Sequence, residues 1–248
     1  MRDAESRKRL AAMIHDPDPK VRARAIEAGM VGRGPQATTE PQRLEEMIQF
    51  LSDPDIEVRQ AAAGAISRQA VTENLPRFLQ MLGEPEPHVQ TAAFGLLARD
   101  FENIQIPREE LRRLFATTNL ELACSFGQVP LAAYSEATSD DVAILLTNRF
   151  VHARLTGIAL LELRPDKRAI GLAVTALQDQ NLLVQKRAWR FLMSQTDQTF
   201  ASDEPGKWAE WWAAHQASFT PKSAEQLRKE SLERRQRYFE SQRARGAD

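Results

Sequence analysis

The chain has 248 residues, 42% of them hydrophobic and 27% charged, and its 33 Lys and Arg nearly balance 34 Asp and Glu. That composition excludes wholesale disorder and leaves no one-signed field by which bulk charge would select a partner. The single cysteine, Cys124, excludes an intramolecular disulfide framework. No apolar run approaches the roughly 20 residues of a membrane span, and the opening "MRDAESRKRLAAMIHD" has no signal-peptide core, so a cytoplasmic location is expected.

Alternating β-branched runs are scarce, whereas Ala, Leu, Arg, Glu and Gln recur at helical spacing, which predicts an all-α fold. In chain order, a short apolar helix, "RKRLAAMI", leads into "DPDPKVRARAIEAG" at 16–29. The same pairing then returns: "QRLEEMIQFL" before "DPDIEVRQAAAGAI" at 53–66, and "LPRFLQML" before "EPEPHVQTAAFGLL" at 84–97. Fainter copies follow, "REELRRLF" before "TTNLELACSFGQVP" at 117–130, "DDVAILL" before "NRFVHARLTGIALL" at 148–161, and "RAIGLAVTAL" before "DQNLLVQKRAWRFL" at 179–192. Their anchors, Val21, Val58, Val89, Leu122, Ala153 and Val184, stand 37, 31, 33, 31 and 31 residues apart. Two-helix units of this period bury their apolar faces only by stacking, so residues 1–195 are predicted to form an α-solenoid of about six repeats.

Each column of the repeat has a physical task. Five residues before the anchor stand Asp16, Asp53, Glu84, Thr117, Asn148 and Asp179, expected to turn the chain and cap the second helix. Four after it stand Ala25, Ala62, Ala93, Phe126, Gly157 and Ala188, small in all but one unit, as close helix approach requires. The fourth unit breaks this pattern with Phe126 and with Pro130 inside its second helix, which predicts a kink or irregular stacking there.

The pattern carried by Asp53, Pro54, Val58, Arg59 and Ala62 resembles the short HEAT repeat, including the form found in phycobilisome-lyase-type proteins. The resemblance covers roughly residues 6 to 195. It implies a structural ladder linking neighbouring turns through Asp16, Arg22, Asp53, Arg59, Asn148 and Arg154. Glu84 with Gln90, Thr117 with Ala123 and Asp179 with Gln185 depart from that pattern. Residues 196–220, with Trp208, Trp211 and Trp212 at helical spacing, resemble the aromatic segment that closes bacterial HEAT-like arrays, and they are expected to cap the last repeat. Residues 221–248 hold 8 basic and 5 acidic side chains around a thin apolar stripe, a charged and partly solvated helical tail.

Solenoids of this kind also host enzymes. HEAT-like iron hydroxylases ligate metal with His-Glu pairs, but the four histidines here are followed by Asp16, Val89, Ala153 and Gln216. Metal, P-loop and dinucleotide motifs are absent too, so no catalytic residue, metal or cofactor is expected, and His15 reads as part of the repeat. HEAT-like DNA glycosylases need a basic concave face. Projecting positions two, three and six after each anchor gives Ala23, Arg24 and Glu27 in the first unit, a small and nearly neutral middle, and a basic final unit of Lys186, Arg187 and Arg190. The function expected is a non-enzymatic protein-binding scaffold, engaging a protein or peptide through Gln60, Gly64, Thr91, Gly95, Ala159, Lys186, Arg187 and Arg190. The alternatives are a lyase or chaperone-like subunit of the phycobilin-lyase type, and weak nucleic-acid contact through the C-terminal basic residues.

Overall fold

The computed structural model describes residues 9–31, 41–100, 104–223, 225–230, 232–233 and 235–236, and no strand occurs among them. The chain divides into two compact units, residues 1–136 and 137–248. The first holds helices α1 (residues 9–13), α2 (Pro19–Val31), α3 (Pro41–Phe50), α4 (Ile56–Ala65), α5 (Arg68–Glu73), α6 (Leu75–Met81), α7 (Pro87–Ala98), α8 (Arg108–Phe115) and α9 (Leu120–Ser125). The second holds α10 (Ser139–Leu146), α11 (Val151–Leu163), α12 (Lys167–Ala176), α13 (Leu182–Thr196), α14 (Pro205–His215) and α15 (residues 225–230).

The fold is all-α, and each unit is built by stacking two-helix repeats. In the first unit the second helices lie side by side, α2 on α4, α4 on α7 and α7 on α9; in the second, α10 packs on α12 and α11 on α13. The reason is the apolar face: Val58, Val89, Leu122, Ala153 and Val184 are buried, and so are Ala25, Ala62, Ala93, Phe126 and Ala188 four residues on. Each large apolar side chain so placed contributes about 1.5–3 kcal/mol, which no single pair of helices could collect alone.

One detail of the repeat differs from the sequence expectation. The residue five before the anchor does not cap the second helix. It makes a tight turn instead: Asp16, Asp53 and Asp179 accept from the backbone N–H two residues on, at 2.9, 2.9 and 2.7 Å. Asn148 accepts likewise from Phe150 at 2.9 Å, and the Thr117 hydroxyl from Asn119 at 3.1 Å. The cap is the residue after that turn. Asp55 accepts from Glu57 and Val58, Asn119 from Glu121 and Leu122, and Asn181 from Leu183, satisfying first-turn N–H groups that have no helical partner.

The Arg after the anchor ties repeats together. Arg22 Nε and Nη2 donate to both carboxylate oxygens of Asp53 at 3.1 and 2.9 Å, while Nη1 donates to the carbonyls of Asp16 and Pro17. Arg154 does the same with Asp179, at 2.7 and 3.0 Å, and with the carbonyls of Asn148 and Arg149. Asp179, set apart from the ladder on sequence grounds, is therefore a full member of it. Arg59 keeps only the carbonyl bonds, to Asp53 and Pro54, and Glu84 stands where the next repeat would repeat the Asp. Gln90 and Gln185 preserve that inner bond, donating to the carbonyls of Glu84 and Asp179.

The fourth repeat is irregular, but not by a kink within its second helix. Helix α9 ends at Ser125, and 3-10 turns at Phe126–Gln128 and Leu131–Tyr134 replace its second half, so Pro130 lies between elements and is exposed. Phe94, Phe115, Phe126 and Tyr134 pack edge-on or tilted at centroid separations of 5.6–6.5 Å. The Tyr134 hydroxyl donates to the Phe126 carbonyl at 2.9 Å, and burial pushes its pKa far above the ordinary phenol value.

At the far end of the second unit, α14 packs on α12. Trp208 is wholly buried and stands edge-on to Phe200. The Trp212 indole lies directly over Gly171 of α12, where a Cβ would come within 3.1 Å of its Nε1. Trp211 is half-buried and stacks on His215. Of the tail, positions 224, 231, 234 and 237–248 lie outside the described residues.

Candidate functional site

A groove of about 520 Å³ runs between α2 and α4 in the first unit. Its floor is Ala23, Ala61 and Gly64; its walls are Lys20, Arg24 and Glu27 on α2, and Glu57 and Gln60 on α4. The repeat makes this site. Ala23 and Ala61 are buried, two and three residues after their respective anchors, and their small side chains leave the trough open. Long polar side chains flank them, Lys20, Arg24 and Glu27 on one helix and Glu57 and Gln60 on the other, and form the rims.

Both floor helices are held firmly. At their N-terminal ends the Arg22–Asp53 pair joins them, with the two side chains only 14% and 9% exposed. At the C-terminal end of α4, Arg99 reaches across from the next repeat and donates to the carbonyls of Ala63 and Ile66 at 2.8 and 3.3 Å, satisfying orphan groups of the last turn. Burial, and then the like charge of Arg68, lower the Arg99 pKa from its ordinary value.

Two of the eight partner-binding positions expected from the sequence, Gln60 and Gly64, line this groove. Thr91 and Gly95 lie one repeat further along the same unit, on α7. The Thr91 hydroxyl is engaged by Pro87 and Asn119, whereas Gly95 is exposed, with open space where a Cβ would stand. Ala159 is buried within α11, 5% exposed. Of the three basic residues on α13, Lys186 and Arg190 are exposed, while Arg187 is committed to Glu162 through two bonds of 3.3 and 2.9 Å.

Lys20 and Glu57 are groove residues that the sequence projection passed over. Both stand one residue before an anchor, two helical turns ahead of the position six after it, so extending the projected face by one period includes them. His15, beside its Asp, packs on the Phe50 ring at 5.8 Å and lies 3.3 Å from a Glu46 carboxylate oxygen. Among the described residues no group of three or more His, Cys, Asp or Glu could hold a metal ion, and no helix is long and apolar enough to cross a membrane.

Comparison with known proteins agrees with the repeat architecture. Residues 44–114 match the family model described as HEAT repeats. HEAT repeats are commonly protein-interaction scaffolds and typically non-catalytic. No curated protein matches the chain. The crystal structure of an engineered protein is similar over 75% of this chain and 95% of its own, at 17% identity and a TM-score of 0.40, a likeness too slight to carry an argument.

Proposed function

We propose that this protein is a non-enzymatic, cytoplasmic scaffold that binds a protein partner by seating a peptide segment in the groove between α2 and α4. The observation that supports this reading is the groove's construction: a floor of Ala23, Ala61 and Gly64 between long polar side chains. Small floor residues let a backbone approach closely, and polar rims fix its register, which is how surface grooves recognise peptides. The two floor helices are braced at opposite ends by Arg22 and Arg99, so binding would not have to order the site first.

The test compares the wild type with Gly64→Arg by affinity capture and mass spectrometry, using Lys186→Ala as a distant control. A partner retained by the control and lost from Gly64→Arg supports the reading. Partners indifferent to Gly64→Arg, or none above background, would overturn it.

A further inference from the structure

Arg22, Arg59 and Arg99 of the first unit all bond to neighbouring repeats or to their own turn. The polar side chains of the groove do not. Among the described residues, the side chains of Lys20, Arg24, Glu27, Glu57 and Gln60 form no hydrogen bond or ion pair. Two cations, two carboxylates and an amide thus surround one trough and remain unpaired, although opposite charges lie on facing and neighbouring positions.

Their order along the groove is set by the repeat. Arg22, in the first turn of α2, clamps Asp53 just before α4, so the two helices start side by side and run parallel, with equivalent repeat positions opposite one another. Lys20 therefore faces Glu57, a level balanced in sign. Arg24 comes next, facing Ala61 with Gln60 beside it, a cation with no opposing acid. Glu27 follows, facing Gly64, a carboxylate with no opposing base. Between Arg24 and Glu27 the axis rises about 4.5 Å, and the reach of two long side chains spans the rest of the roughly 6.6 Å that separates alternate side chains on one face of an extended chain.

We infer that the groove reads a mixed-charge extended segment: an acidic side chain paired by Arg24, a basic one two positions away paired by Glu27, and the main chain between them bonded by the Gln60 amide. The Gln60 side chain has both a donor and an acceptor to offer one backbone residue, and each charged pair formed in the trough is a charge-assisted bond. The zero net charge of the lining argues against a uniformly acidic or uniformly basic partner. This inference rests on the peptide-groove reading above, and adds to it what the peptide must carry.

The experiment measures the full chain by fluorescence polarisation against short synthetic Gly/Ser peptides bearing Glu-x-Lys, Lys-x-Glu, Glu-x-Glu, Lys-x-Lys or no charge. The mixed peptides should bind about tenfold more tightly than the like-charged or neutral ones. Arg24→Glu should reverse the preference towards Lys-x-Lys, and Glu27→Lys towards Glu-x-Glu. Both side chains are exposed, so neither change should shift the unfolding transition. Affinities within about twofold across all charge patterns, or an Arg24→Glu variant that weakens every peptide equally, would overturn the inference. Charge-blind binding that Gly64→Arg abolishes leaves the scaffold reading standing while this one falls. If no peptide binds, this inference falls and the capture experiment alone decides the other.

Discussion

Arg22 and Arg59 occupy the same repeat position and make the same pair of bonds to carbonyls of their own turn, yet of the two only Arg22 also bonds a carboxylate. Replacing Arg22 by Met strands the nearly buried Asp53 charge, and should cost the first unit about 3 kcal/mol. Arg59→Met loses only bonds to carbonyls and should cost about 1–2 kcal/mol. Urea denaturation of the two variants, followed on the first unit's transition, checks the order; equal losses would mean that the carboxylate contributes nothing. This ladder was legible in the sequence because Asp and Arg share one period. The cap was misplaced because "DPD" offers two acids two residues apart, and only geometry shows that the first turns the chain while the second caps. Asp18, Asp55, Asn119 and Asn181 all stand at that later position, a signal that comparison of columns could have found.

Exposed and packed glycines separate at the scale of the helix. Gly95 lies within α7 with nothing near the place of its missing Cβ, whereas a Cβ on Gly157 in α11 would meet Leu146 Cδ2 at 2.9 Å and Leu145 Cβ at 3.2 Å. Gly95→Ala should stabilise the protein by about 0.5–1 kcal/mol, through the intrinsic helix preference alone. Gly157→Ala gains the same preference but overpacks the contact with α10, and should destabilise by about 1–3 kcal/mol. Calorimetry on both variants reads the opposite signs, and a common sign would refute the distinction. The short elements were the least legible. Phe126 and Pro130 announced an irregular fourth repeat, but 3-10 turns of three and four residues carry too little periodicity to show that Tyr134 returns to pack on Phe126. Phe126→Ala should open that aromatic cluster at a cost of about 3–5 kcal/mol, read as earlier loss of the first unit in a thermal melt.

Across the whole molecule, Leu122 and Ala153 keep the regular spacing, yet the chain divides into two compact units between residues 136 and 137. The helix that fails to complete itself after Ser125, rather than any change in repeat length, precedes the division, and periodicity is blind to it. The tail was only half legible for a similar reason, since one of its ties to the body runs through a lysine whose partners the period does not place. Lys222 Nζ donates to Asp197 at 2.6 Å and to Glu230 at 3.0 Å, and its backbone N–H donates to the buried Gln195 amide oxygen at 2.9 Å. Asp197 reaches it from the left-handed conformation that ends α13. Beyond this anchor the helix is mostly exposed, Leu232 included, and a helix shorter than about 12–15 residues is marginal by itself. Lys222→Met should therefore raise hydrogen exchange across residues 225–236 while the rest of the second unit keeps its protection; unchanged exchange would show that the anchor holds nothing. Alkali provides an independent test. Burial by itself lowers the Lys222 pKa, but its bonds to Asp197 and Glu230 outweigh that effect and leave it raised. A raised lysine stabilises the docked state fully below its unfolded value of about 10.4, and the contribution is lost as pH climbs through the folded value. Circular dichroism should accordingly show a loss of helix in that alkaline range in the wild type, and no such step in Lys222→Met.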